Sequence, residues 1–308
     1  MTGFRHQPVM LTEVLQVLRP QPNEDYADGT LGGGGHAAAI LAANAPHGRL
    51  WACDRDPAAL AAAAQRLAGF AGRCELRRGN FAELQEWVAP DSCAGVLLDL
   101  GVSSPQLDTA ERGFSFQKDG PLDMRMDQSQ PTTAATLVNG WPVEELAKIF
   151  WEYGDEVRAR TFARAVVRQR EARPFATTRE LAELIERLAP RGGRKAHPAT
   201  RVFQALRIAV NDEIGALERG LDGALTILKP GGRVAVITFH SLEDRVVKQW
   251  ARRLARDYTF AEVDVPALRQ PQVPVVKLIT RRAIRPGPAE QRANPRCRSA
   301  QLRVVEKI

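Results

Sequence analysis

The chain has 308 residues, of which 44% are hydrophobic and 26% are charged, and its formal net charge is +7. These values exclude a wholly disordered chain, and the length favours about two domains. No apolar run approaches the roughly 18 residues of a membrane span. We therefore expect no membrane partner. The four cysteines lie far apart without a C-x-x-C pair, so we expect no metal site, no disulfide framework and a cytoplasmic location.

Charge is strongly segregated along the chain. The net charge is −8 over residues 1–155, +8 over 156–207, −3 over 208–244 and +10 over 245–308. Arginine dominates both basic segments. Such a balance favours a polyanionic partner such as nucleic acid, because each phosphate contact releases counterions. The alternative interpretation is a solvated basic surface.

Short apolar runs alternate with helical stretches between residues 25 and 100. The alternation is typical of a doubly wound parallel sheet in an α/β protein. Strands are predicted over residues 25–28, 50–53, 75–77 and 95–98, and helices over 35–44, 57–67 and 81–88.

The alternation stops near residue 103. Residues 103–130 are rich in turn formers, and Asp123 and Arg125 are expected to order this segment by an ion pair. Helices are then predicted over residues 143–153, 156–170 and 178–188, the last with Thr177 or Thr178 as its N-cap. The spacing of apolar residues predicts one long helix from Phe203 to Leu225.

An α/β pattern returns after this long helix. A buried strand is predicted over Val234–Phe239, a helix over residues 242–256 and a last strand over 302–305. The simplest organisation is one discontinuous α/β domain, over residues 1–108 and 200–308. A helical domain over residues 109–199 interrupts it.

A glycine-rich loop joins the first predicted strand to the helix that follows it. It reads Asp28-Gly-Thr-Leu-Gly-Gly-Gly-Gly-His36. Glycines let a ligand approach the backbone closely, and the helix N-terminus behind the loop offers free N–H groups. Asp54 ends the second strand about 20 residues further on, where a carboxylate can accept both hydroxyls of a ribose. The loop therefore predicts a nucleotide-like ligand.

Acidic residues help to decide which ligand this is. Gly32-x-Gly34-x-x-Ala37 also fits a loose dinucleotide pattern, so an NAD(P)-dependent oxidoreductase is an alternative. However, Asp28 directly precedes the loop and Asp99 ends the fourth strand. With Asp54, three carboxylates are then expected along the crevice at the carboxyl ends of the strands. That arrangement disfavours a diphosphate and favours the cationic S-adenosylmethionine.

Several separated blocks carry a specific resemblance to a known family. They are His6–Val9, Asp28–His36, Asp99–Asp108, Gly113–Phe116, Gly120–Asp127, His197–Ile208, Phe239–Arg245 and Asn294–Ser299. Together they closely resemble the RsmH (MraW) family of S-adenosylmethionine-dependent methyltransferases, whose members methylate the exocyclic N4 of a cytidine in the decoding region of small-subunit ribosomal RNA.

The resemblance implies a class I, Rossmann-like methyltransferase fold with an inserted all-helical domain. It implies 16S ribosomal RNA or the assembled small ribosomal subunit as partner, and it leaves a monomer and a homodimer open. It also implies a cofactor site at Gly34, Gly35, His36, Asp54, Phe81, Asp99 and Gln106. This set agrees with the residue-based interpretation, to which Asp28 belongs and in which Phe81 stacks on adenine or fills the core. Gln106 is the addition.

Candidate catalytic residues follow the fourth and fifth strands. The turn Ser103-Ser104-Pro-Gln106 lacks the Pro-Pro-aromatic sequence of many amine methyltransferases, which counts against a DNA amine methyltransferase. We expect carbonyls or hydroxyls at Ser103 and Ser104 to accept the target amine, and Asp99 to contact the cofactor. His240 is expected to contact the base or a phosphate, although Ser241–Asp244 equally fits a capping box.

The predicted RNA contacts are basic side chains. A stripe at i, i+4 and i+8 spacing on one helix is typical of such contacts. The candidates are Arg160, Arg164, Arg168, Arg194, Lys195, Arg201, Arg296 and Arg298. A non-catalytic RNA-binding protein with a vestigial fold is a further alternative, against which the intact loop, Asp54 and Asp99 argue.

Overall fold

The chain forms two compact units in a computed structural model that describes residues 8–190, 197–260 and 264–308. The sheet unit comprises residues 1–101 and 214–308, and the helical unit comprises residues 102–213. The predicted domain boundaries differ from these limits, because the helical unit begins earlier and ends later. Its core includes Phe203, and Leu107 packs against that core; both lie outside the range predicted for the helical domain.

The helices and strands alternate in the sheet unit, and helices make up most of the helical unit. The helices are α1 (Leu11–Leu18), α2 (Gly35–Ala43), α3 (Pro57–Arg66), α4 (Ser104–Asp108), α5 (Ala134–Gly140), α6 (Val143–Glu152), α7 (Ala159–Ala172), α8 (Thr178–Leu188), α9 (Thr200–Asn211), α10 (Glu213–Ile227), α11 (Ser241–Leu254) and α12 (Pro288–Ala293). The strands are β1 (Tyr26–Asp28), β2 (Leu50–Asp54), β3 (Cys74–Arg78), β4 (Cys93–Asp99), β5 (Leu228–Thr238), β6 (Tyr258–Thr259), β7 (Gln270–Pro271), β8 (Val276–Leu278) and β9 (Gln301–Lys307). Among the helices of the described ranges, none has the length and apolar character needed to cross a membrane.

Seven strands form the main sheet, in the order β3-β2-β1-β4-β5-β9-β8. The first five of these are parallel to one another, and β9 pairs antiparallel with both β5 and β8. The α/β fold with a doubly wound sheet is therefore confirmed, with a mixed rather than fully parallel edge. Since β1, β2, β4 and β5 are parallel, their carboxyl ends meet at one edge of the sheet, where ligands of such folds bind.

Each face of the sheet is covered by its own hydrophobic core. Successive strand residues point to opposite faces, so Tyr26 packs in the core that includes Ile40 of α2. Its neighbour Ala27 packs in the other core, with Leu217 of α10 and Trp250 of α11. The continuous apolar runs read in the sequence arise from this burial on both faces.

The prediction of one long helix over Phe203–Leu225 is wrong. The chain breaks at Asp212, whose φ of 48° is left-handed, and α9 and α10 are separate helices. The buried Asn211 amide donates to the carbonyl of Met124, and its oxygen accepts from the N–H of Met126, both at 2.8 Å. The last residue of α9 is thereby tied to the loop of its own unit, and the left-handed residue redirects the chain.

Two local predictions within the helical unit are confirmed. Thr177 caps α8, because its hydroxyl accepts from the N–H of Glu180. Arg125 forms an ion pair with Asp123 at 2.7 Å, and its Nη1 also donates to two backbone carbonyls of the same loop. This one guanidinium therefore fixes the turn-rich segment.

Candidate functional site

The glycine loop lies between β1 and α2, over the carboxyl ends of the central strands. The N–H of Gly29 donates to the carbonyl of Leu97 in β4 at 3.0 Å. A Cβ on Gly29 would lie 2.6 Å from the side chain of Leu98, so no larger residue fits there. Gly34 has a φ of +72° directly before α2, in the region that favours glycine. Close packing therefore explains Gly29, and backbone conformation explains Gly34.

Thr30 joins this loop to the end of β4, and it was not among the residues predicted from the sequence. Its hydroxyl accepts from the N–H of Asp99 at 2.6 Å. Its own N–H donates to Oδ1 of Asp28 at 3.1 Å. One threonine thus links two of the predicted acids. A hydroxyl inside a glycine-rich loop was the available signal.

Asp28 ends β1 and is 1% exposed. Burial raises its pKa to about 7, against the hydrogen bond from Thr30, and repulsion from Asp54 adds to the increase. Asp54 ends β2, where Oδ2 accepts from the N–H of Gly32 and Oδ1 from the N–H of Asp56. Burial also raises the pKa of Asp54. Two carboxyls therefore sit beside the loop, close enough to repel each other.

Asp99 ends β4 and completes the acidic group. Burial raises its pKa well above the ordinary value, followed by repulsion from Asp28 and Glu243. In the described part of the chain, its buried Oδ1 has no hydrogen-bond partner. Glu243 is 2% exposed, and the sequence analysis gave it no role in the site. The structure therefore gathers four carboxyls rather than three.

His36 lies beside this acidic cluster, which we define as Asp28, Asp54, Asp99 and Glu243. It follows Gly35 in the first turn of α2 and is 6% exposed. Its Nε2 donates to the carbonyl of Val9 at 2.9 Å, and its Nδ1 lies 3.8 Å from Oδ2 of Asp99. His36 of the loop region therefore lies beside Asp99 at the end of β4.

The acidic cluster fits a cationic cofactor. Burial, with repulsion from neighbouring carboxyls, raises the pKa of Asp28 and Asp99. A positive group there would stabilise their ionised forms, and the unpartnered Oδ1 of Asp99 could accept a hydrogen bond from it. A pyrophosphate would add further negative charge to the same buried place. The donor set therefore suits S-adenosylmethionine and disfavours a dinucleotide.

His240 follows β5 and caps α11. Its Nδ1 accepts from the N–H of Glu243, and Oε2 of Glu243 accepts from the N–H of Phe239 at 2.8 Å. The predicted capping box at Ser241–Asp244 is therefore wrong by one residue. Asp244 instead pairs with Arg303 at 2.6 Å. The correct box brings Glu243 into the acidic cluster.

Three predicted residues belong to the helical unit. Ser103 is the N-cap of α4, and Ser104 is its first residue. Gln106 is 6% exposed, and its Oε1 accepts from the N–H of Ser103 at 2.9 Å. The amide of Gln106 thus orders the turn that follows β4.

Phe81 begins a short 3-10 helix, Phe81–Glu86, where the sequence predicted an α-helix over residues 81–88. Its ring packs against α10, since a Cβ on Gly220 would lie 2.3 Å from it. The side chain is partly buried against the core that contains Leu84 and Leu217. This position agrees with the core interpretation of Phe81, and a Cβ on Gly29 would lie 2.6 Å from the Cβ of Phe81.

The predicted RNA-contacting residues are distributed over both units. Arg160, Arg164 and Arg168 are exposed on α7, and Arg201 is exposed on α9, where it donates to the carbonyl of Asp155 at 2.8 Å. In the sheet unit, the exposed residues are Arg296 and Arg298. Arg194, Lys195 and His6 lie outside the described residues.

Comparison with known proteins places this chain in a family. The model of the MraW methylase family matches residues 3–308. A protein of Symbiobacterium thermophilum is 51% identical over 99% of this chain and 98% of its own. One of Geobacter sulfurreducens is 52% identical over 99% of both chains. Both relatives are named ribosomal RNA small subunit methyltransferase H. The chain therefore belongs to the MraW methylase family of methyltransferases, which use S-adenosylmethionine as cofactor.

Proposed function

We propose that this protein transfers a methyl group from S-adenosylmethionine to the exocyclic N4 of a cytidine in the decoding region of 16S ribosomal RNA. The observation that carries the proposal is the identity of about half of all positions, over nearly the full length, with relatives named for methylation of small-subunit ribosomal RNA. The buried acidic cluster supports the cofactor half of the proposal, because it suits a cation.

The acidic cluster and the glycine loop would hold the cofactor. We assign the ribose hydroxyls to Asp54, whose carboxylate is already oriented by the N–H groups of Gly32 and Asp56. Asp28 and Asp99 would bind the cationic methionine end, and the loop at Gly34 would let it approach the backbone. When bound, the cofactor supplies a methyl group on a sulfonium, which is a strong electrophile.

The remaining task of the protein is to position the target amine. A cytosine amine is a weak nucleophile because its lone pair is delocalised into the ring, and acceptors for its N–H groups localise that pair. We propose Ser103 and Ser104 as these acceptors, since they follow Asp99 by four and five residues and Gln106 orders their turn. His240 is proposed as a contact to the base or to a phosphate. Positioning and exclusion of water then account for the catalysis.

The helical unit is proposed as an RNA-recognition domain. Its exposed arginines on α7 would contact phosphates, together with Arg194, Lys195, Arg201, Arg296 and Arg298. The target base must leave its stack to reach the cofactor, so we expect a flipped base or an already open RNA.

Mass spectrometry of 16S ribosomal RNA tests the proposed function. A strain that lacks this chain should lose a methyl group on one cytidine of the decoding region. The wild-type gene should restore it, and a gene encoding Asp54→Ala should not. In vitro, labelled cofactor is supplied with either free RNA or small subunits from the deletion strain. The one that gains the labelled methyl group is the substrate. A deletion strain that keeps every cytidine methyl group would refute the proposal.

A further inference from the structure

A groove of about 750 Å³ on the helical unit has no role in the site described above. It is lined by the outer faces of α6 and α7 and by the residues between them. Two large apolar side chains are exposed there, Trp151 to 59% and Val157 to 76%. Single exposed apolar residues are common, but an indole beside a second apolar side chain in a groove forms a flat, accessible surface.

Basic side chains surround this surface. Lys148, Arg158, Arg160 and Arg164 line the groove, with Glu144 as the acidic lining residue. Within the described ranges, the charged groups of Lys148, Arg160 and Arg164 make no hydrogen bond or ion pair. Arg158 lies over the ring of Phe162, 5.5 Å from its centroid. Three cationic groups are therefore available to an anionic ligand.

An exposed aromatic ring among unpaired cations matches the chemistry of single-stranded nucleic acid. The π-face of any unpaired base stacks on an indole, and the adjacent phosphates pair with Arg or Lys. A double helix hides its base faces, so it would use the cations alone. A protein partner of the usual apolar kind would leave these cations desolvated and unpaired, which is costly.

We infer that this groove, hereafter the Trp151 groove, binds an unpaired segment of RNA. One base stacks on Trp151, and the adjacent phosphates lie against Arg160 and Arg164. The inference rests on the proposed function, which supplies RNA as substrate, and it adds a stacking residue that the sequence analysis did not identify. Arg168 is not among the lining residues, so we expect its contribution to be smaller.

Binding of a fluorescein-labelled 12-nucleotide single-stranded RNA tests the stacking contact. Trp151→Ala should raise the dissociation constant roughly 5- to 150-fold, as alanine substitution at stacking aromatics does. Trp151→Phe keeps a ring and should stay within about threefold of wild type. Affinity for the same RNA annealed to its complement should not change. An alanine variant within twofold of wild type, or equal losses for single and double strands, would overturn the inference.

The cations are tested by salt dependence on the same RNA. Arg160→Gln should lower the slope of the logarithm of affinity against the logarithm of salt by about 0.7, the value for one lost phosphate contact on a single strand. Arg173→Gln is the matched control, because Arg173 is 80% exposed in the same unit, is paired with Glu180 and does not line the groove. Equal slopes for the two variants would contradict phosphate contacts in the groove.

Methyl transfer to small subunits from the deletion strain separates this inference from the proposed function. Wild type should methylate them, and Trp151→Ala should raise KM with little change in kcat. A wild type without transfer would refute the function, while RNA binding would still decide the groove. Circular dichroism and cofactor affinity should match wild type in every variant. A dimer that Trp151→Ala converts to a monomer in sedimentation would make the groove an interface between copies and overturn the inference.

Discussion

Asp28 offers a direct test of the acidic cluster through Asp28→Asn. The carboxyl is 1% exposed, and its Oδ1 accepts from the N–H of Thr30. An amide of nearly the same shape can keep that hydrogen bond but cannot ionise. The substitution therefore removes a buried charge while it changes the packing little.

Linkage gives the size of the expected effect. The pKa of Asp28 is about 7 in the folded protein without cofactor, against 3.8 in an unperturbed carboxyl. Because the folded state holds this proton more tightly than the unfolded state does, protonated Asp28 stabilises the fold. This contribution to the free energy of unfolding is fully present below pH 3.8 and is lost as pH rises through 7. Between pH 5 and pH 8, wild type should lose roughly 2–3 kcal/mol of unfolding free energy through this group.

Urea unfolding without cofactor, at pH values from 5 to 8, measures this loss. Asp28→Asn should gain roughly 2–3 kcal/mol relative to wild type between the two ends of the range. Relief of the repulsion on Asp99 acts in the same direction. The measurement at pH 5 is the internal control, because any steric cost of the amide is the same at every pH. A difference between variant and wild type that is constant with pH would refute the burial of this charge.

Four further predictions concern the cofactor site and the helical unit. By calorimetry, cofactor affinity should rise about tenfold from pH 6 to pH 8, because Asp28 must lose its proton to bind a cation. Asp28→Asn should reduce that rise, and a flat wild-type profile would contradict the assignment. Asp54→Ala should weaken cofactor binding at least about tenfold with an unchanged circular dichroism spectrum, and unchanged affinity would disprove the placement of the ribose. Arg125→Ala should lower the free energy of unfolding in urea by about 1–3 kcal/mol, since it removes an ion pair and two hydrogen bonds to carbonyls. Arg125→Lys should lower it less. Thr177→Ala should lower the free energy of unfolding in urea by about 1 kcal/mol, because it removes the cap of α8. An unchanged free energy of unfolding would contradict a role for the cap.

The sequence was sufficient to predict the glycine loop and the acids at the ends of β1, β2 and β4. Each acid directly follows a buried apolar run, and parallel strands bring such positions to one edge. The sequence did not reveal Glu243, because the predicted capping box began at Ser241, one residue too late. That register gave the role of the capping acid to Asp244. The apolar face of α9 continues into α10 at the same spacing, so periodicity could not locate the break at Asp212.

The edge of the sheet was also beyond prediction. The three residues Val276–Leu278 of β8 are too few to show a periodicity, and they pair antiparallel with β9 inside a Pro-rich segment. Trp151 escaped notice because one aromatic residue on a helix more often belongs to a core.

The position of β9 in the sheet has a consequence for how the chain folds during synthesis. β9 pairs with β5 along six residues, from Arg233–Glu306 to Thr238–Gln301. The ribosome makes the contiguous helical unit well before these residues, so that unit can fold early. Until residue 307 has emerged, β5 presents an open strand edge of the kind that pairs with other chains. A nascent chain stalled before residue 301 would therefore be prone to aggregate, with one unit folded and the other still incomplete.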